Sequence, residues 1–262
     1  MRPLESVPNF SEGRDRATLD ALGAAFGPGL VHASADPDHH RSVFTVAGEP
    51  GALAETVVAA ARVAIERIDL SKHAGVHPRV GAIDVAPIVY LTDDERGAAC
   101  AEALILADRL GHELELPVYL YGALAGGRTR AELRRPGTLE HLRPDAGPPR
   151  LHPTAGAVLV AARPPLAAFN VYIDAPLATA KEIAAHLRGP AVKALGLQLE
   201  TANRVQVSTN IEDLAAATPG DVVRAVQQHA RVTEAELVAP APRSAFESFP
   251  ADVPISGAPL LD

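Results

Sequence analysis

Strand-like and helix-like segments alternate along the chain, and one order of segments recurs in its two halves. Apolar residues recur at helical spacing in some stretches and form short alternating or β-branched runs in others. In the first half the strand-like segments are residues 2–10, 29–36, 41–48, 80–91 and 116–122, and the helix-like segments are 15–26, 50–68 and 93–114. In the second half the strand-like segments are 167–174, 192–200, 204–211 and 234–240, and the helix-like segments are 178–189 and 220–231.

Each half therefore contains the β-α-β-β-α-β order of a split βαβ unit, and the first half adds a further helix and strand. We predict an α/β (α+β) protein made of two ferredoxin-like subdomains, residues 1–163 and residues 164–262. The sheet faces of two such layers could meet across a cleft. Because domain junctions are favoured ligand sites, that cleft is where we expect a ligand.

Two segments lack a clear period. Residues 126–155 are rich in glycine, proline and arginine, and we expect one short helix flanked by irregular loop. A long irregular segment in a compact protein is usually functional or a linker, and composition does not distinguish the two. The tail, residues 249–262, is expected to be loosely ordered.

Composition excludes several classes of protein. Hydrophobic residues make up 47% of the chain, which is enough for a core and disfavours disorder. The net charge of −8, without a Lys/Arg-rich block, disfavours nucleic-acid binding. The single cysteine, Cys100, fits a reducing compartment. The N-terminus has no apolar signal region and no apolar run reaches the ~20 residues of a membrane span, so we expect a cytoplasmic protein without a membrane partner.

The loop at residues 71–81, SKHAGVHPRVG, concentrates polar groups before a strand. A helix C-terminus would explain Lys72 and could also explain His73, since cations complement the helix dipole there. It does not explain His77 and Arg79, which lie beyond Gly75. A metal site is the competing interpretation, but the glutamate of an HExxH motif is missing and no cysteine is near. We expect no metal.

Two further polar loops precede predicted strands or helices. Asn9 lies in VPNFSEGRD, where turn formation is the simpler interpretation. His39, His40 and Arg41 lie in DPDHHRS, where a solvated hairpin turn is the simpler interpretation. Arginine recognises carboxylates with two hydrogen bonds, and histidine transfers protons near neutral pH. Together these loops favour a small anionic ligand.

The residues at these places resemble a known family. VPNFSEGR, DPDHHRSVFTVAG, HAGVHPRVGAIDVAPIVYL and PVYLYG, in this order, resemble the N-terminal part of glutamate formimidoyltransferases, and AAFNVYI and VQVSTNIED resemble their second subdomain. The resemblance extends to about Ala239. It implies transfer of a formimino group from N-formimino-glutamate to N5 of tetrahydrofolate in histidine breakdown. It also implies a homodimer, two subdomains whose sheets face a substrate tunnel, and tetrahydrofolate as co-substrate.

The resemblance assigns roles to individual residues. His77 in HPR is the implied catalytic acid and base. The implied substrate-binding residues are Asn9, His39, His40, Arg41, Lys72, His73, Arg79 and Asp84. The implied folate-contacting loop is Gly147, Pro148, Pro149, Arg150, Leu151, His152, Pro153, Thr154, Ala155 and Gly156.

Two positions depart from the family pattern, and they motivate one of three alternatives, the binding paralogue. His40 stands where an asparagine is frequent, and Ala155 stands where an aromatic residue is expected. One alternative is formyl transfer between 5-formyltetrahydrofolate and glutamate at the same site. Another is a folate- or amino-acid-binding paralogue without turnover, and a metal hydrolase is the third. We expect an enzyme with the transferase activity alone, without a cyclodeaminase domain.

Overall fold

A computed structural model describes residues 3–261, which divide into two compact units with the boundary between Pro164 and Pro165. Residues 1, 2 and 262, at the ends of the predicted first strand and tail, lie outside the described range. The strands of the first unit are β1 Leu4–Ser6, β2 Asn9–Phe10, β3 Leu30–Asp36, β4 Arg41–Gly48, β5 Ile83–Val89, β6 Val118–Leu120 and β7 Val158–Arg163. Its helices are α1 Arg16–Phe26, α2 Leu53–Arg67, α3 Arg96–Glu113, α4 Arg130–Leu133 and α5 Thr138–His141.

The sheet of the first unit has the split βαβ order. β1 and β2 are one interrupted strand that lies antiparallel to both β4 and β5, and β3 pairs with the other side of β4. β7 and then β6 continue the sheet beyond β5, both parallel to their neighbours. The additions to the split βαβ core are therefore α3 and the two strands β6 and β7, where one helix and one strand were predicted. The α/β (α+β) class is confirmed.

Two hydrophobic clusters cover the sheet of the first unit. The larger joins α1, α2 and α3 to the sheet and includes the edge-to-face rings of Phe10, Phe26 and Phe44. The smaller joins α4 and α5 to Tyr119 and to alternate residues of β7. Strand β7 was not predicted from the sequence. It is buried on both faces, so it has no alternation of apolar and polar residues.

The second unit contains the split βαβ order with a fifth strand. Its elements are β8 Ala167–Asp174, α6 Leu177–Leu187, β9 Val192–Leu199, β10 Arg204–Ile211, α7 Pro219–Gln227, β11 Arg231–Leu237, β12 Ala241–Pro242, β13 Ile255–Gly257 and β14 Leu260–Leu261. The sheet runs β13-β11-β8-β10-β9. Its core lies on the face that α6 and α7 pack against, around Phe169 and Val207.

The expectation of a loosely ordered tail was wrong. Strand β13 pairs parallel to β11, and β14 pairs with β12. The last position of β13 requires glycine, because Gly257 has φ +96° and a Cβ there would lie 2.2 Å from the Leu237 carbonyl oxygen. Segment 126–155 contains two short helices, α4 and α5, where one was expected. None of the helices described between residues 3 and 261 is long and apolar enough to cross a membrane.

Candidate active site

Asp84 is the centre of a buried polar cluster in the first unit. It lies on β5 with no exposed surface, and its Oδ1 accepts a hydrogen bond of 2.7 Å from the Val80 backbone N–H. Its Oδ2 accepts hydrogen bonds from two guanidinium groups, those of Arg41 and Arg134. A buried carboxylate is stable only when paired, and this one has two cationic partners.

Neighbouring strands bring the members of this cluster together. Asn9 on β2 pairs in register with Val43 of β4 and Val85 of β5, so it lies between the strands that carry Arg41 and Asp84. The Asn9 Oδ1 accepts from the Nε of Arg41 at 2.9 Å and from its Nη2 at 2.7 Å. The remaining terminal nitrogen, Nη1, donates to Asp84 at 2.7 Å. All three guanidinium nitrogens of Arg41 therefore donate hydrogen bonds, and these bonds fix the position of the side chain.

The pKa values of the cluster reflect burial and the opposed charges. Burial would raise the pKa of Asp84, but Arg134 and Arg41 outweigh it and hold that pKa well below its ordinary range. Burial lowers the pKa of Arg41 to about 10, against the opposing effect of Asp84. Both groups are therefore ionised at neutral pH. With Arg134, the cluster has two positive charges against one negative charge.

His77 lies beside this cluster with a partly exposed side chain. Its Nδ1 is 2.8 Å from the carbonyl oxygen of Pro78 and 3.2 Å from Nη1 of Arg41. Burial, and then the charges of Arg41 and Arg134, lower the pKa of His77 well below its ordinary value of 6.5. The imidazole is therefore neutral at neutral pH, the form that can accept a proton.

Arg79 holds the loop that carries His77. Its Nη2 donates to the carbonyl oxygens of His77 and of Gly75, the latter at 3.0 Å. Its Nη1 lies 3.2 Å from Nε2 of His73. Gly75 is required here, since a Cβ would lie 2.7 Å from the His39 carbonyl oxygen. The guanidinium group thus closes a loop that has no regular hydrogen bonding.

His40 and His73 form a stacked pair with ring centroids 4.0 Å apart. The Nδ1 of His40 accepts from the Gly13 backbone N–H at 3.1 Å and lies 3.4 Å from Glu12. His40 also has φ +47°, a left-handed conformation in which Asn, Asp and His are the favoured non-glycine residues. Burial lowers the pKa of His40, which favours its neutral form in this stacked pair.

The other predicted substrate-binding residues lie in different settings. The ring of His39 is buried and stacks on His77, with centroids 5.8 Å apart. Lys72 forms an ion pair of 3.1 Å with Asp69, and its side chain is 81% exposed. The structure therefore brings Asn9, Arg41 and Asp84 into one hydrogen-bonded group, places the His77 imidazole 3.2 Å from Arg41, and leaves Lys72 outside the group.

The predicted folate loop is folded on itself at its C-terminal end. His152 and Gly156 exchange two backbone hydrogen bonds of 2.9 Å, and Nδ1 of His152 accepts from the backbone N–H of Ala155 at 2.9 Å. The Ala155 carbonyl accepts from Ala82 at 2.9 Å, which attaches the loop to the chain just before β5. Gly156 has φ +68°, and a Cβ there would lie 2.2 Å from the Val80 carbonyl oxygen.

Exposure within this loop is uneven. Pro149, Arg150 and Pro153 are exposed, and Leu151 keeps 37% of its surface. Ala155 is 1% exposed and belongs to the larger hydrophobic cluster. The exposed side chains near the middle of the loop are thus accessible to a ligand, and Ala155 is not.

A comparison with protein families identifies the first unit. Residues 3–163 match the family model described as the formiminotransferase domain, N-terminal subdomain. The chain belongs to the formiminotransferase family. It is 37% identical over 229 residues to a glutamate formimidoyltransferase from Streptococcus pyogenes serotype M1, covering 79% of this chain and 77% of that protein.

Other formiminotransferase relatives are similar over the same share of the chain. A glutamate formimidoyltransferase from Thermoplasma acidophilum is 34% identical over 234 residues, covering 80% of this chain and 77% of that protein. A formimidoyltransferase-cyclodeaminase from Mus musculus is 38% identical over 240 residues, covering 80% of this chain and 44% of that protein. The match to the bifunctional relative thus spans less than half of its length.

In the first unit, Arg134 is the member of the cluster that the sequence analysis did not identify. It follows α4 in the segment expected to be irregular, and it lies fifty positions from Asp84 in the chain. No motif singles it out among the arginines of residues 128–135. Charge balance is the one signal for it, because a buried Asp84 needs cationic partners. Which arginine pairs with Asp84 is decided only by the tertiary structure.

The alternative of a metal centre receives no support from the geometry. Within residues 3–261, no group of three or more His, Cys, Asp or Glu side chains is placed to hold a metal ion. The buried carboxylate that such a centre would use, Asp84, is instead occupied by two arginines and a backbone N–H.

Proposed function

We propose that this chain transfers the formimino group of N-formimino-glutamate to N5 of tetrahydrofolate, with His77 as the acid and base. The observation that carries the proposal is the placement of a neutral imidazole beside a buried cluster with an excess positive charge. Relatives of 37% and 34% identity that bear the name glutamate formimidoyltransferase support the reaction. Tetrahydrofolate is on this proposal a co-substrate that is consumed.

The tautomer of His77 follows from its contacts. A carbonyl oxygen can only accept a hydrogen bond, and that of Pro78 is the nearer neighbour of Nδ1. Nδ1 therefore carries the hydrogen, and Arg41 at 3.2 Å is a charge contact. Within residues 3–261 the Nε2 of His77 has no hydrogen-bond partner, so its lone pair is available to a substrate.

The reaction needs one proton to move between two nitrogens. N5 of tetrahydrofolate attacks the amidine carbon and forms a C–N bond, giving a tetrahedral intermediate. The Nε2 of His77 accepts the proton from N5 and then donates it to the glutamate nitrogen. The C–N bond to glutamate breaks, and the imidazole returns to its neutral form. Such acid–base assistance contributes about 10²–10⁴ in rate.

The remaining residues of the site supply position and charge. Asn9 and Asp84 fix Arg41 beside the imidazole, and Arg79 fixes the backbone of the loop. We assign the exposed residues 149–151 to folate contact, because they are the accessible part of the predicted folate loop. His39 packs on the ring of His77 and orients it.

The test is an assay of the purified protein with formimino-glutamate and tetrahydrofolate, in which the 5-formimino product or the derived methenyl product is followed by absorbance. Turnover is expected, and its loss in His77→Ala would support the assigned role. Turnover with 5-formyltetrahydrofolate and glutamate alone would favour formyl transfer. Tight folate binding without turnover of either pair would favour a binding paralogue.

We infer a cytoplasmic homodimer from the resemblance to the family. Light scattering coupled to size-exclusion chromatography measures the oligomeric state directly. A mass of twice the 27.3 kDa of the chain is expected, and a mass of one chain would contradict it.

A further inference from the structure

Arg134 gives the buried cluster a positive charge that the described protein groups do not neutralise. The side chains of Arg134 and Arg41 are 13% and 11% exposed, and that of Asp84 is not exposed at all. Both guanidinium groups share a single carboxylate oxygen of Asp84. A buried charge without a partner is costly, and this cost falls when an anionic ligand supplies the second negative charge.

The two arginines differ in how many of their N–H groups are engaged. Nε and both terminal nitrogens of Arg41 contact Asn9, Asp84 or His77. Arg134 contacts Asp84 through Nη2 alone, and its Nε is buried without a hydrogen-bond partner within residues 3–261. A guanidinium group has five N–H donors in a planar fork that matches a carboxylate. Within residues 3–261, Arg134 is therefore the arginine of this cluster that has N–H donors without a hydrogen-bond partner.

The position of the unengaged N–H donors of Arg134 fits the α-carboxylate of the donor substrate. Arg134 and Arg41 meet at Asp84, and Arg41 lies 3.2 Å from the His77 imidazole. In an N-formimino amino acid the nitrogen that carries the formimino group is bonded to Cα, and Cα carries the α-carboxylate. A carboxylate bound beside His77 therefore fixes the nitrogen that leaves.

We propose that Arg134 binds the α-carboxylate of the amino-acid donor and so determines its specificity. This role rests on the formimino transfer proposed above. Arg134 touches the substrate on this proposal and does not only anchor the segment that contains α4 and α5. The γ-carboxylate of glutamate is bound elsewhere.

The experiment compares Arg134→Gln and Arg134→Lys with Arg135→Gln, which removes an exposed charge from the next residue. The KM for formimino-glutamate is expected to rise by about 10- to 100-fold in Arg134→Gln, the effect of losing hydrogen bonds to a charged group. The rise is expected to be smaller in Arg134→Lys, which keeps the charge. The KM for tetrahydrofolate is expected to stay at the wild-type value in all three variants.

A donor analogue separates substrate contact from a structural role. The N-formimino derivative of 4-aminobutyrate lacks the α-carboxylate and keeps the distal one. The wild-type protein is expected to prefer formimino-glutamate, and Arg134→Gln is expected to lose most of that preference. If Arg134→Gln lowers kcat/KM for both donors by the same factor, or leaves the donor KM unchanged, the inference is overturned and the proposed function stands.

The wild-type protein provides the remaining control. Absence of turnover with formimino-glutamate in the wild type would overturn the proposed function and this inference with it. If Arg134→Gln does not fold by circular dichroism, Arg134→Lys decides the question through the same two KM values. An unchanged donor KM in a folded Arg134→Lys, together with unchanged donor preference, contradicts the proposal.

Discussion

The two units contain polar clusters on related sheets, and the two clusters differ in burial and in charge balance. In the first unit, Arg41 and Arg134 share the buried Asp84. In the second, Arg204 pairs with Glu234 at 2.8 Å, with side chains 35% and 29% exposed. Arg204 also lies over the ring of Tyr172, whose hydroxyl donates to Glu236 at 2.7 Å. One cluster has excess positive charge, and the other has one arginine for two carboxylates.

This difference separates a candidate binding site from a sheet-stabilising pair. The Arg204–Glu234 ion pair joins β10 and β11, the two strands that flank β8. A partly exposed pair of this kind contributes little and is screened by salt. A buried cluster with an unmatched cation is costly to maintain, and charges with shifted pKa values concentrate at functional sites. The comparison therefore favours the first cluster as the candidate active site and leads to predictions for both clusters.

The largest expected effect is on catalysis. His77→Ala should lower kcat by about 10²–10⁴, because it removes the group that accepts and returns the proton. His112→Ala is the matched control, since His112 is an exposed residue of α3 that pairs with Asp108. Steady-state rates of both variants measure the contrast. Equal rates for His77→Ala and the wild type would contradict the role of His77 as acid and base.

The next effect is on stability. Asp84→Asn should lower the free energy of unfolding by about 3–5 kcal/mol, because it leaves two buried guanidinium groups without their counter-charge. Glu234→Gln in the second unit should lower it by about 0–1 kcal/mol, as expected for an exposed pair. Denaturant titrations of the two variants and the wild type measure both losses in the free energy of unfolding. Similar losses in both would remove the distinction between the clusters.

The stability of the protein should also depend on pH through Asp84. The pKa of Asp84 in the folded state is depressed below its unfolded value, so its contribution is complete above that unfolded value. The contribution is lost as the pH falls through the lower, folded pKa. Thermal unfolding across acid pH should show this loss in the wild type and show less of it in Asp84→Asn. Identical acid sensitivity would contradict the ion-pair assignment.

A smaller effect is expected on the pH dependence of activity. The acid limb of kcat/KM should lie below the ordinary histidine pKa, because burial, Arg41 and Arg134 lower the pKa of His77. Arg134→Gln removes one of these cations and should move the limb to higher pH. Arg204→Gln should leave it in place. A limb that moves in both variants, or in neither, would show that the first cluster does not tune His77.

Several parts of the candidate site could be predicted from the sequence, through motifs that resemble a known family. The HPR and HHR steps and Asn9 lie beside the ends of predicted strands, and Asp84 lies within the predicted strand 80–91. Pairing of β2 with β4 and β5 brings Asn9, Arg41 and Asp84 together. Backbone geometry explains why glycine is needed near them. Gly156, for example, has a positive φ, and a Cβ there would clash with the Val80 carbonyl oxygen. The spacing of apolar residues predicted most helices and strands, because this spacing is a property of residues that are close together in the sequence.

What the sequence by itself determined was the class of fold and the split βαβ order in both units, and its resemblance to a family pointed to the residues around His77. Only the tertiary structure decided that Arg134, fifty positions away, shares Asp84 with Arg41. It also decided that β7 and β13 are strands, since one is buried on both faces and the other depends on parallel pairing with β11. These features arise from long-range pairing and from charge balance in a buried space, and neither leaves a period in the chain.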